Sequence, residues 1–112
     1  MMQITAVAAL FSDLPVIELT AWVERGWVLP ESVDSGWIFH EIDVARVRLI
    51  YDLRRDMDVT DDTMPLVLSL LDQMYEMRGR LRALLQAVEA QPADVRQAIL
   101  QSISRSTEIT DR

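Results

Sequence analysis

Apolar residues recur at the three- and four-residue spacing of amphipathic helices along most of this 112-residue chain. The first stretch, ITAVAALF (Ile4–Phe11), predicts a short helix with Thr5 as its N-cap. Ser12 and Asp13 cap a second helix, with Pro15 in its first turn, where a missing N–H costs nothing. That helix runs to about Arg25 along the stripe Val16, Leu19 and Val23, and Gly26 ends it. From Trp27 to Phe39 (WVLPESVDSGWIF) Pro30, Gly36 and two short β-prone pieces break the helical period. This segment predicts a turn or small hairpin, a wing beside two helices joined as a helix-turn-helix.

A third helix is expected from Asp43, its N-cap, to about Met57. Ile42, Ala45, Leu49, Ile50 and Leu53 fall on one side of it, and Val44, Val47 and Tyr51 on the other. Apolar residues on two sides predict a central helix with neighbours on both. After a turn at Asp58–Asp62, a fourth helix runs from near Pro65 to about Val88. At ~1.5 Å per residue it spans about 35 Å, more than a small core covers. Met64, Leu71 and Leu85 recur in sevens, as do Val67, Met74, Leu81 and Val88, with Arg78 interrupting the first series. Such spacing on Leu71, Met74, Leu81 and Leu85 predicts a dimerisation seam; the competing reading folds this face back on its own domain. Pro92 breaks the helix, Ala93–Ile103 predicts a short last helix, and Ser104–Arg112 a frayed end. The expected organisation is therefore 1–63 as one unit, 64–90 as a long helix, and 91–112 as a short helix with a tail.

Charge changes this picture more than composition does. Half of the residues are hydrophobic, enough for a real core in a chain of this length. There is no cysteine, which excludes a disulfide scaffold and a thiolate site and fits a reducing cytoplasm. The N-terminal stretch has no basic region or cleavage site of a targeting signal, and no apolar run approaches a bilayer span. All eleven bases are arginines. Residues 1–63 hold twelve Asp/Glu against five Arg, a net of −7, whereas 64–112 hold six of each. The negative charge is confined to the N-terminal half.

Three segments carry a family resemblance. WVERGWVLP (Trp22–Pro30) resembles the exit from the helix-turn-helix of MerR-type regulators. GWIF followed by Asp43 resembles their wing-to-helix junction, and DVARVRLIYDLRRDMDVT (Asp43–Thr60) their next helix. Together these span about Leu14 to Leu71. The resemblance implies an all-α fold: a MerR-like winged helix-turn-helix unit followed by a long dimerisation helix. Within it, the Met-Pro entry and VLSLLD run of Met57–Met74, and the short wing ending Trp37-Ile38-Phe39, are similar to the CbpM-type chaperone modulators. That likeness implies a unit that binds the J-domain of a DnaJ-like (CbpA-type) co-chaperone instead of DNA. The stretch from about Gln91 lies outside the resemblance.

The residues themselves bear on that choice. DNA affinity comes largely from Lys and Arg neutralising phosphates. From Met1 to Phe39 the chain offers one base, Arg25, against Asp13, Glu18, Glu24, Glu31 and Asp34. An acidic face suits a basic protein helix, so no nucleic acid partner is expected. On the second helix Glu18, Ala21, Arg25 and Glu24 surround Trp22, and with Glu31 and Asp34 of the wing they form the candidate partner-binding face. Trp22 has two readings: a half-exposed anchor in a polar rim, or a core side chain against the wing or third helix. Trp27 and Trp37 read as core. The alternative function is a MerR-type DNA-binding transcription regulator with an unusual surface.

Catalysis and cofactors find no support. His40 is the only histidine, and Val44 stands where a zincin motif needs its second. Asp56, Asp58, Asp61 and Asp62 lack the glycine and bidentate Glu of a calcium loop and read as a solvated turn. The expectation is a cytoplasmic, non-enzymatic homodimer with no cofactor, metal or membrane partner.

Overall fold

The computed structural model describes residues 1–110, with side chains for 1–106. Five helices and one small hairpin follow in the order α1 (Ile4–Ala9), α2 (Val16–Glu24), β1 (Glu31–Val33), β2 (Gly36–Ile38), α3 (Glu41–Arg55), α4 (Met64–Glu89) and α5 (Ala93–Thr110). The described chain is thus mostly helical, and it divides into two compact units, Met1–Leu68 and Ser69–Arg112. Among the described residues no helix is long and apolar enough to cross a membrane.

The first unit is built around side chains that sequence spacing brings inward. Val7, Phe11, Leu19, Trp22, Val28, Phe39, Val47, Ile50, Met64 and Leu68 are buried, and no polar or charged residue joins them among the described residues. Gly26 stops α2 as its sequence predicts. At φ +79° it turns the chain left-handed, so its N–H reaches Val23 O at 3.0 Å and that of Trp27 reaches Trp22 O at 3.0 Å. These two bonds are the Schellman closure that satisfies the last carbonyls of the helix. Beyond it, β1 and β2 pair antiparallel with Glu31 opposite Ile38 and Val33 opposite Gly36, joined through Asp34 and Ser35. The hairpin falls within Trp27–Phe39, the segment where a turn or small hairpin is expected. Met2 extends its base, exchanging backbone bonds with Phe39 at 3.0 and 2.7 Å.

Several helix starts differ from expectation. α1 begins after Gln3, not Thr5, and α2 after Pro15, not Ser12-Asp13, because Asp13 sits at φ +61° outside any helix. α3 begins three residues early, with His40 as N-cap in place of Asp43. Asp43 is therefore its third residue, and its carboxylate turns back to accept the His40 N–H at 2.8 Å. An acid in the first turn serves equally as cap or as the reciprocal partner of a capping box, so the sequence alone favours neither. α3 also buries one arc only. Val47, Ile50 and Leu53 are buried and Val44, Leu49 and Tyr51 half-buried, while Ile42 is 79% exposed and Ala45 faces solvent.

Side chains of α3 hold the α1–α2 turn in place. The Tyr51 hydroxyl donates to Ser12 O at 2.6 Å, and Arg55 Nη2 donates to Asp13 O at 2.7 Å. The Phe11 and Tyr51 rings meet at 5.1 Å, with the Arg48 guanidinium 4.9 Å from the Phe11 ring.

The second unit holds the rest of α4, a turn at Ala90–Pro92, and α5. α4 passes through Gly79 without a break. Val88 is the one buried large apolar side chain among this unit's described residues. The last helix continues to Thr110, so Ser104–Thr110 is helical where a frayed end was expected; no proline or glycine follows Pro92 to stop it. The remainder of the expected tail, 111–112, lies outside the described residues.

Candidate protein-docking face of the first unit

α2 is only two and a half turns long, so its orientation decides what it offers. Leu19 and Trp22, three residues apart, form its inner edge, and Trp22 is 1% exposed. The half-exposed anchor is thereby corrected: Trp22 belongs to the core, the other of its two readings. The stripe Val16, Leu19 and Val23 is corrected with it, because Val16 is exposed and Val23 half-buried. Trp27 is buried and Trp37 half-buried.

Opposite that edge, Ile17, Ala21 and Glu24 align at the four- and three-residue steps of one helix face. Ile17 is 81% exposed, Ala21 half-buried and Glu24 exposed. Ile17 was not singled out from the sequence, although its position two before Leu19 places it away from any face that Leu19 leads. On the hairpin, Asp34 is exposed at the turn.

The other expected partner residues have work inside the unit. Half-buried Glu18 lies 3.3 Å from Arg54 Nε and 3.5 Å from Arg55 Nη2. The first of these is a contact of charges without hydrogen-bond geometry, for Glu18 Oε1 and Arg54 Nε are both buried without a hydrogen-bond partner. Arg54 also pairs with Asp61, and Asp61 pairs with Arg25 at 3.2 Å. The network joins α2, α3 and the turn after it. Glu31 Oε2 meets His40 Nε2 at 2.8 Å, linking the hairpin to the start of α3. Asp61 thus acts within this network, and among the described residues no three His, Cys, Asp or Glu side chains cluster as a metal site.

The five arginines of the first unit are engaged from within. Arg25 and Arg54 meet acids, Arg55 meets Glu18 and the Asp13 carbonyl, Arg46 Nε donates to Trp27 O at 2.9 Å, and Arg48 covers Phe11. Exposed acids outnumber them: Asp13, Glu24, Glu31, Asp34, Glu41, Asp56, Asp58, Asp61 and Asp62 all face solvent. On α2 the outward residues are thus Ile17 and Glu24, the hairpin adds exposed Asp34 at its turn, and Leu29 between the two is also exposed.

The expected seam residues sit on α4. Met74, Leu81 and Leu85 are exposed and Leu71 is half-buried. Leu71 continues the side on which Met64 and Leu68 are buried in the first unit, which sets it apart from the other three.

No curated protein and no solved structure matches the chain. A family model described as MerR HTH family regulatory protein matches residues 10–86, from the end of α1 to near the end of α4. That match takes in α2, the hairpin, α3 and most of the long helix, starting just after α1, and it covers more than half of the sequence. The chain belongs to the MerR helix-turn-helix family of regulatory proteins.

Proposed function

We propose that this protein is a non-catalytic, cytoplasmic adaptor that binds the J-domain of a DnaJ-like co-chaperone. It uses the acidic face of its winged helix-turn-helix, and it works as a homodimer through α4. Binding there modulates the co-chaperone by blocking its access to a DnaK-type chaperone. The observation that carries this reading is the outer face of α2 and the hairpin: Ile17, Glu24 and Asp34 are exposed, and the only base, Arg25, is tied to Asp61. A phosphate backbone would be repelled by that face and would have to compete for Arg25. A basic amphipathic helix would be steered to it and would place an apolar side chain on Ile17. The CbpM-like run Met57–Met74 supports the choice of partner.

Calorimetric titration of the dimer with a J-domain at low and moderate salt tests the reading. Binding that weakens as salt rises is expected, and the reversal Glu24→Lys with Asp34→Lys should weaken it by about tenfold or more while leaving folding unchanged. No binding by a correctly folded dimer would sink the proposal. Membership of a family of regulatory proteins favours a second reading, a transcription regulator with a non-basic surface. A specific, salt-sensitive gel shift on its own promoter region would reverse the ranking.

A further inference from the structure

α5 (Ala93–Thr110) lies beyond residue 86, where the family match ends, and both it and α4 carry apolar side chains that the chain leaves exposed. Along α4, Leu70, Met74, Met77, Leu81 and Leu84 follow one another in steps of four, three, four and three, the core pattern of a coiled coil without an interruption. All five are between 44% and 65% exposed. Part of this seam is an open groove of about 390 Å³ lined by Leu70, Met74, Met77 and Leu81 with Gln73 and Arg78 at its edges. On α5, Val95 and Leu100 are exposed and Ile99 half-buried. A three-residue turn joins the two helices, yet the chain leaves both apolar faces to solvent.

Two quantities say what covers them. Residues 64–112 carry six acids and six arginines, so a second copy meets no net repulsion there, whereas the −7 of residues 1–63 opposes contact through the first unit. Eight large apolar side chains of the α4 seam and α5 are each between 40% and 65% exposed, the kind of surface that fills the core of a standard stable interface of ~800 Å² per partner. We propose that α5 of one copy covers the Leu70–Leu84 seam of a second copy, so that two second units close into one four-helix core. This deepens the homodimer of the proposed function and rests on it. It also shifts the seam: Leu70, Met77 and Leu84 join Met74 and Leu81 as its core, in place of Leu71 and Leu85.

The chain has no cysteine, so single-cysteine variants report contacts cleanly. The full-length protein, Leu81→Asp and the double variant Val95→Asp/Leu100→Asp are compared by sedimentation equilibrium, with circular dichroism as the check on helicity. The wild type should be a dimer, and each variant should raise the dissociation constant by about tenfold or more, equivalent to ~1.4 kcal/mol. In parallel, Leu100→Cys chains are mixed with chains carrying cysteine at Leu70, Met77 or Leu84 and treated with a short bismaleimide. At least one mixture should give a linked mixed pair in high yield, and this arm needs no destabilising change. If the α5 double variant dimerises like the wild type, or no mixture links, the α5 cover is wrong while the homodimer stands. A monomeric wild type overturns both.

Discussion

The two units draw on similar apolar side chains and put them to opposite use. In Met1–Leu68, helices of six to fifteen residues and a hairpin close over Trp22, Phe39 and Ile50, and the charge left outside is strongly negative. In Ser69–Arg112 two longer helices bury one large apolar residue, Val88, among those described, and their charges balance. Short helices are marginal alone and survive by packing, so the first unit depends on its own core. The second has the helix length to persist with its apolar side open. One unit closes over its apolar side chains and shows the solvent a charge; the other leaves most of its apolar side chains open.

The comparison breaks if buried and exposed residues respond alike. Trp22→Ala should cost about 3–5 kcal/mol in chemical denaturation, and Leu19→Ala about 3–4, because both leave cavities in a closed core. Leu84→Ala, measured in solution too dilute for association, should cost no more than ~0.5 kcal/mol beyond its small propensity change. A Trp22 variant as stable as the wild type would return that residue to the surface. Next in size, Gly26→Ala should lose about 1–2 kcal/mol, because an L-residue pays that for the left-handed turn ending α2. Glu18→Ala leaves half-buried Arg54 and Arg55 short of one carboxylate and should cost about 1 kcal/mol, read as a lower urea midpoint. The smallest effect carries the opposite sign. Gly79 lies within α4 with open space at its missing Cβ, so Gly79→Ala should stabilise the helix by about 0.5–1 kcal/mol, seen as a higher melting temperature of the second unit.

Backbone punctuation was legible in the sequence, and facing was less so. Gly26 and Pro92 mark helix limits because each acts through its own backbone chemistry, independent of neighbours. The hairpin was visible in Pro30 and Gly36 for the same reason. The inner edge of α2 was not, since Val16, Ile17, Leu19, Trp22 and Val23 put apolar groups nearly all round two turns, and any three of them make a stripe. α3 misled in a related way: Ile42, Ala45 and Leu49 form a good apolar face that the fold leaves mostly outside. On α4 two seven-residue series overlap, and only the burial of Met64 and Leu68 in the first unit separates the face already used from the face still open. The acids of the candidate docking face could be counted, but not which of them its arginines claim, because Glu18 meets residues 36 and 37 positions away.

The bonds from α3 to the α1–α2 turn have a consequence for how the chain reaches its native state. Ser12 and Asp13 offer their carbonyls to Tyr51 and Arg55, 39 and 42 residues later. A helix-turn-helix is usually thought of as a local motif, yet here its turn is fastened by a segment made long after it. Closing a loop of that length costs entropy before any contact rewards it. Until α3 is made, the first two helices have only their own short contact to hold their angle, and a chain ending at Phe39 should show little helix by circular dichroism. The candidate docking face gains these two fastenings only once α3 has been made and has packed against the turn.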